Sequence, residues 1–474
     1  MGLIDPIDLP ALSALGPVHF IAIGGSGMNG IASMMVEAGL EVSGSDRQDS
    51  DYLHALERKG ARVYVGHQAD QVGAAETVVA SSAIREDNPE LAEARRRGLR
   101  VLHRSAALGS LMLGRRGIAV AGTHGKTTTT AMISQVLTGC GIDPSYVIGG
   151  ALSGSKSGGH LGQGEWMVVE ADESDGSFLQ YPAELAVVTN VDPDHLVNWG
   201  TPANYAAGFL RFATGSALKL LVVSADDPGA VALTEQVRAR GAVRIVTFGE
   251  SPEADVVIRH TSFEGTRSTF ELHHRGSGGP VALSVPGHYN VLNAAASYAV
   301  ATEVGASDAQ IREQLSGFAG TYRRFQLVGT VNGIRVFDDY AHHPTEVGHT
   351  MRAARTGVGE GRVVVCFQPH LYTRTRDFWR ELAHALEEAD EAIVMDVCGD
   401  REDPIDGIDG RLVSDAIAAG TARVTYEPVW DAAPAVVARI ARPGDLVITV
   451  GCGDVTKIAP KIIAELERTG RGSA

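Results

Sequence analysis

Short runs that are apolar at nearly every position recur along the chain, at residues 18–23, 77–80, 118–121, 166–169, 185–188, 220–223, 335–337, 363–367, 392–397 and 446–450. A strand with one wet face alternates; a continuous run is what a parallel strand covered on both faces requires. Between these runs lie segments with helical spacing, such as 31–38, 127–137, 292–304 and 377–389. Strands taking turns with helices predict an α/β protein built on parallel sheets. One stretch departs from this pattern. Residues 255–285 hold the alternating runs 256–260, 268–273 and 281–285 between glycine-rich turns, which predicts antiparallel strands added at an edge of the central domain. Residues 149–164, rich in Gly and Ser, read as a mobile loop.

With 474 residues, and domains of roughly 100 to 200 residues each, the chain has room for about three domains with cores of their own. Changes of pattern near residues 105 and 322 divide it into 1–104, 105–322 and 323–474. No apolar run approaches the roughly 18 residues that a membrane span needs. The first 17 residues carry Asp5, Asp8 and three prolines, without the basic start and apolar middle of a secretory signal, so the expected location is the cytoplasm. Cys140, Cys366, Cys398 and Cys452 lie too far apart to suggest a zinc site or a disulfide framework. A formal net charge of −16 opposes nucleic acid and acidic membranes as partners. Anionic small molecules must therefore be held locally, by helix amino termini, loop amides and a few aimed cations.

Two glycine loops offer such places. After the first apolar run, Gly25, Gly27 and Gly30 fit G-x-G-x-x-G at the start of a helix, where a tight turn and free N–H groups suit a diphosphate. Asp46, closing the next strand, could accept from a ribose hydroxyl. NAD and UDP-sugars share these features, so this loop alone also admits a nicotinamide oxidoreductase. The second loop, Gly122-Thr123-His124-Gly125-Lys126-Thr127, follows the run 118–121 and precedes Thr128 and an apolar helix. Its amides can surround phosphates, Lys126 can neutralise charge between the β- and γ-phosphates, and the Thr127 hydroxyl can ligate Mg²⁺. Position 120 is Val where the strict Walker pattern has Gly. The chemistry asked for is still ATP or GTP.

Gly122 to Thr127 resembles the ATP loop of the Mur ligases. Further segments agree in order: Glu170-Ala171-Asp172-Glu173-Ser174-Asp175, Thr189 to His195, Arg323-Arg324-Phe325, Asp338 to Pro344 and Phe367 to Thr375. The resemblance covers nearly the whole chain. It implies three α/β domains: a Rossmann-like amino-terminal domain, a central P-loop-type ATPase domain with a mostly parallel sheet, and a Rossmann-like carboxyl-terminal domain. It also implies an ATP- and Mg²⁺-dependent ligation of L-alanine to the lactyl carboxylate of UDP-N-acetylmuramate through an acyl phosphate, by a monomer or homodimer. The roles it implies are UDP-sugar binding by Gly25, Ser26, Gly27, Met28, Asp46, Ser81 and Ser82, and ATP binding by Gly122 to Thr128, Asn290, Asn293, Arg324 and Asp339. Metal binding falls to Thr127, Glu170 and His195, catalysis to Lys126, Glu170 and His195, and the amino acid to Tyr340, His342 and Arg374. Arg374 suits a carboxylate, because a planar guanidinium binds it bidentately. Three positions depart from the family pattern: Tyr289 replaces a usual His, Val197 a usual Asp and Leu371 a common Arg. No lysine lies between His195 and Lys219, so the carbamylated lysine of several sister ligases is not expected. The alternative within the family is a ligase that recycles a preformed tripeptide onto the same sugar nucleotide.

Overall fold

A computed structural model of the chain describes residues 3–149, 158–400 and 402–470. Three sheets carry it. The first joins β1 (Val18–Ile21), β2 (Val42–Asp46), β3 (Arg62–Val65), β4 (Thr77–Ala80) and β5 (Arg100–His103) in the order β3-β2-β1-β4-β5, with every neighbouring pair parallel. The strand order reverses between β1 and β4, and in an open α/β sheet ligands collect beyond the carboxyl ends of the strands at such a point. The first glycine loop follows β1, and Ser81 and Ser82 follow β4. Sequence patterning and topology therefore converge on one crevice.

The second sheet holds β6 (Arg116–Ala121), β7 (Ser145–Val147), β8 (Gly159–His160), β9 (Trp166–Glu170), β10 (Ala183–Val188), β11 (Leu220–Ser224), β12 (Arg244–Gly249), β13 (Val256–Glu264), β14 (Arg267–His274) and β15 (Ser277–Leu283). Its order is β15-β14-β13-β12-β11-β10-β6-β9-β7-β8. β6 lies parallel between β10 and β9, so the second glycine loop leaves the middle of the sheet with Glu170 and Thr189 on either side. The edge addition expected over 255–285 is present as β13 to β15. β13 continues the sheet parallel to β12, and connections of two residues then return the chain. Of the glycine- and serine-rich stretch read as a mobile loop, residues 150–157 lie outside the described ones. Gly159–His160 is strand rather than loop, paired antiparallel with β7.

β16 (Gln326–Val331), β17 (Ile334–Asp339), β18 (Val363–Phe367), β19 (Glu391–Met395), β20 (Arg423–Glu427) and β21 (Leu446–Val450) form the third sheet, ordered β16-β17-β21-β18-β19-β20. Only β16 runs antiparallel to its neighbour. Its continuous apolar runs are explained by cover on both faces: Val363, Val365 and Phe367 enter one core and Val364 and Cys366 the other.

The described chain packs as two compact units. One comprises residues 1–260, 270–281 and 292–318, and the other 261–269, 282–291 and 319–474. The first sheet and strands β6 to β12 fall in one unit, and one hydrophobic cluster runs from Phe20 and Val79 to Met167 and Val188. Three helices start about four or five residues earlier than their spacing predicts, at Ser26, His288 and Tyr372. The third is bent at Phe378, whose φ of −128° is not helical, and its first turn carries Arg374. The four cysteines form no disulfide. Among the described residues no helix is long and apolar enough to cross a membrane.

Candidate functional site

Asp46 closes β2 and turns back on the first loop, where its Oδ2 accepts from the Gly24 N–H at 3.0 Å. The Ser26–Glu37 helix then starts with Gly25 as its N-cap, without a capping side chain and without an acidic residue in its first turn. The positive end of the helix is thus left for an anion. The Ser26 side chain lies outside those described. Met28 puts its side chain into the core and donates its N–H to Gly25 O at 2.9 Å. Gly30 serves packing: a Cβ there would stand 3.0 Å from the backbone of Gly158, so the third glycine lets the chain beside β8 approach the helix. Ser82 donates to Asp175 Oδ2 at 2.8 Å and lies 3.1 Å from His103 Nε2. Ser81 directly precedes it at the end of β4.

The second loop could hold no side chain at Gly122, where φ is +140° and a Cβ would fall 1.9 Å from Thr189 Oγ1. Gly125, at φ +83°, caps the Lys126–Gly139 helix. His124 N–H donates to Asn190 Oδ1 at 2.8 Å, and its Nε2 lies 3.2 Å from Asp192 Oδ2. Thr123 Oγ1 donates to Asp192 O at 2.7 Å and lies 2.8 Å from the Tyr205 hydroxyl. These ties fix the loop against Asn190, Asp192 and Tyr205. Lys126 Nζ donates to Gly122 O at 2.7 Å and Thr123 O at 3.1 Å. Thr127 Oγ1 donates to Glu170 Oε1 at 2.9 Å, and Glu170 Oε2 accepts from Gly149 N–H at 2.7 Å. Thr128 is buried one residue further. Asn293 Oδ1 accepts from Thr129 Oγ1 at 3.0 Å, which fixes it to the same helix.

Sequence reasoning passed over Glu173. Its carboxylate is wholly buried and lies 2.7 Å from Lys126 Nζ. Burial pushes the Glu173 carboxyl up to about 7, with Lys126 pulling it down and Asp172 adding to the rise. Against its own burial, Lys126 is held above the usual lysine range by Glu173, Asp172 and Glu170, and so stays charged. Only its place in the acidic run 170–175 could have marked Glu173, and that run does not say which carboxylate faces the lysine. His195, at φ +54°, lies 3.4 Å from Asp194 Oδ2 and 3.9 Å from Glu173 Oε1. The structure thus brings Thr127 to Glu170, and His195 to the carboxylate that holds Lys126. Val197, at the position of a usual Asp, is 76% exposed and supplies no polar support.

In the other unit, Asp339 ends β17 and accepts from Phe325 N–H at 2.7 Å and Ala341 N–H at 2.8 Å. Burial raises its carboxyl to about 6, with Arg324 opposing. The Arg323 and Arg324 guanidinium groups lie 4.9 and 5.1 Å from the centre of the Tyr340 ring. His342 Nδ1 lies 3.0 Å from Tyr340 O and 3.5 Å from Glu346. Burial, with Arg374 and His370 adding and Glu346 opposing, lowers the His342 pKa to about 3. His342 is therefore neutral near pH 7 and a weak base. Asn290 donates to Pro286 O at 2.7 Å, and the neighbouring Tyr289 ring stacks on His349 at 5.8 Å. Tyr340, His342 and Arg374 follow the carboxyl ends of β17 and β18, which lie either side of β21. The strand order reverses there, so this edge repeats the logic of the first crevice.

Three family models match in series along the chain: the Mur ligase family catalytic domain over residues 17–116, the Mur ligase middle domain over 120–301 and the Mur ligase glutamate ligase domain over 323–453. A UDP-N-acetylmuramate–L-alanine ligase of Cutibacterium acnes is 52% identical over 98% of this chain and 99% of its own length. One from Thermobifida fusca is 48% identical over 98% of this chain and all of its own. Among solved structures, a UDP-N-acetylmuramate-alanine ligase of Thermotoga maritima superposes with a TM-score of 0.82 at 27% identity, covering 96% of this chain and 99% of that one.

Proposed function

The chain belongs to the Mur ligase family, and from that premise we propose that it joins L-alanine to the lactyl carboxylate of UDP-N-acetylmuramate, converting ATP to ADP and phosphate, in peptidoglycan precursor synthesis in the cytoplasm. The observation that carries this reading is the second loop: a charged Lys126 at the mouth of a helix, beside the bonded pair Thr127 and Glu170. It supports nucleotide phosphate chemistry in a chain that matches ligases of this activity over nearly its full length.

A carboxylate does not acylate an amine until one of its oxygens becomes a leaving group. The sugar-borne acid therefore attacks the γ-phosphorus of ATP, giving an acyl phosphate and ADP. The amine of L-alanine, once it has lost a proton, attacks the acyl carbon, and phosphate departs from the tetrahedral intermediate. No protein nucleophile is needed, so the chain contributes position and charge. Lys126 holds the negative charge that moves between the β- and γ-phosphates, and Gly122 to Thr128 supply the amides around them. The Thr127 and Glu170 oxygens, bonded to each other at 2.9 Å, would hold a magnesium ion together with the His195 ring, and the ion would supply further neutralisation of the phosphates. Arg324 and Asp339, with Asn290 and Asn293, serve ATP; Tyr340, His342 and Arg374 serve the amino acid. Being a weak base, His342 is better suited to orienting the amine than to taking its proton. Gly25, Ser26, Gly27, Met28, Asp46, Ser81 and Ser82 serve the sugar nucleotide. The domains assigned to these tasks are 1–104, 105–322 and 323–474, in a monomer or homodimer.

An ADP-release assay across UDP-sugars and amino acids tests substrate and reaction together. Turnover is expected with UDP-N-acetylmuramate and L-alanine; turnover with a tripeptide but not with L-alanine would make the chain a recycling ligase instead. Lys126→Ala is expected to lower kcat by about 10³-fold and to leave the Kd for UDP-N-acetylmuramate within about threefold, because the two loops serve different phosphates. Equal loss of both in a folded variant would refute that division of labour.

A further inference from the structure

Arg104 belongs to none of the motifs read from the sequence, yet it spans the two loops. It opens the Arg104–Met112 helix immediately after β5. Its Nη2 donates to Asp172 Oδ2 at 2.7 Å, with the two side chains 21% and 31% exposed. Its Nη1 lies on the other side, against the first glycine loop, where a Cβ on Gly27 would stand 3.0 Å from it. One guanidinium thus reaches from the diphosphate loop to the acidic run beside Lys126, since Asp172 precedes Glu173, the carboxylate on Lys126 Nζ.

The arrangement holds a conflict that an anionic ligand would relieve. A guanidinium beside the uncapped start of the Ser26–Glu37 helix sets positive charge against the positive end of a helix dipole. Asp172 holds it through Nη2. Although burial works against the charge, Asp172 and Asp175 hold the guanidinium ionised. Arg presents its donors as a rigid fork and binds phosphate bidentately, so a diphosphate entering the loop would find Nη1 already turned towards it.

We propose that Arg104 is a diphosphate-binding residue of the sugar-nucleotide site, exchanging Asp172 for the ligand when the first loop fills. This rests on the ligase reading, because the diphosphate is that of the UDP-sugar. The exchange has a consequence of definite sign. Asp172 competes with the ligand for Arg104 and repels it, so neutralising Asp172 strengthens binding whereas neutralising Arg104 weakens it. A bracing role for Arg104, with Asp172 as its structural partner, would make both changes harmful.

Calorimetric titration of the full chain with UDP-N-acetylmuramate separates these outcomes. Arg104→Gln is expected to weaken binding by about 30-fold, the loss of a charge-assisted pair of hydrogen bonds. Asp172→Asn is expected to tighten it by about threefold or more, and the double variant to resemble Arg104→Gln. UMP, with a single phosphate, should lose far less than the UDP-sugar in Arg104→Gln, which guards against a misfolded variant passing for a positive result. Weaker binding in Asp172→Asn, or an Arg104→Gln Kd within threefold of the parent, overturns the role of Arg104 alone. A parent chain that fails to bind UDP-N-acetylmuramate overturns the ligase reading and this role with it.

Discussion

His103 closes β5 and caps the next helix, its ring 2.8 Å from Ser105 Oγ and 3.1 Å from Ser82 Oγ. Burial, reinforced by Arg104 and opposed by Asp175 and Asp172, lowers its pKa to about 4. In the unfolded chain the imidazole titrates near its usual value of about 6.5, so protons favour the unfolded state between those two values. The stability at stake is fully present above pH 6.5, is lost as pH falls towards 4, and amounts to roughly 3 kcal/mol. His103→Asn keeps a side-chain acceptor for the helix start and removes the titration. Denaturant unfolding from pH 7 to pH 4 should therefore show the parent losing about 3 kcal/mol more than the variant, and parallel curves would refute the assignment. Glu173 poses a different residue-scale question, because it holds the lysine that, on the ligase reading, serves phosphate. Glu173→Gln should leave Lys126 less firmly tethered and lower kcat/KM for ATP, by about tenfold for one charged hydrogen bond. Steady-state kinetics would check this, and an unchanged value would mean that Glu173 only balances charge.

At the scale of elements, each loop depends on a strand that ends at the right depth. β6 carries its last residue, Ala121, directly into Gly122, where φ is +140° and a Cβ would fall 1.9 Å from Thr189 Oγ1, so there is no space for a side chain. Gly122→Ala must displace the loop or β10, and is expected to cost about 1–3 kcal/mol in stability and to abolish measurable ATP binding, while UDP-sugar binding persists. Melting curves and separate titrations with the two nucleotides would show it, and normal ATP affinity would mean that the loop's conformation is not what holds phosphate. Such central strands were legible because their apolar runs are continuous: β9, β10, β18 and β21 are buried almost throughout. The edge strands of the first sheet were not. β3 and β5 present mixed exposure over four residues, too few for a period to emerge. The helix beginning at Tyr372 was misplaced by five residues because the bend at Phe378 interrupts its spacing. The same contrast holds in the site. Gly25, Gly27, Gly122 to Thr127 and Glu170 lie in local motifs or at strand ends, whereas Arg104 meets Asp172 across 68 positions, a pairing that only the folded sheet order creates.

The whole molecule carries a formal charge of −16 and, on the ligase reading, must attract substrates that are themselves anions. A UDP-sugar acid with about three negative charges, roughly 30 Å from the centre of that charge in water, would feel a repulsion of about 7 kcal/mol without salt. Screening cuts this to about 2 kcal/mol at 0.01 M salt and to a few tenths at 0.1 M. The attraction that could offset it is short-ranged. Lys126 is matched by Glu173 and Arg104 by Asp172, so neither cation projects a free field into solvent before the ligand arrives. Repulsion therefore governs the approach, and the local cations govern only what happens on contact. The association rate constant for UDP-N-acetylmuramate, measured by stopped flow, should rise about tenfold between 0.01 and 0.1 M KCl and then level off, whereas steering by exposed cations would make it fall over the same range. Asp172→Asn adds a second discriminator: by uncovering Arg104 it should raise the rate at low salt and flatten the dependence, which changing one charge among many would do only if that charge stands at the entrance.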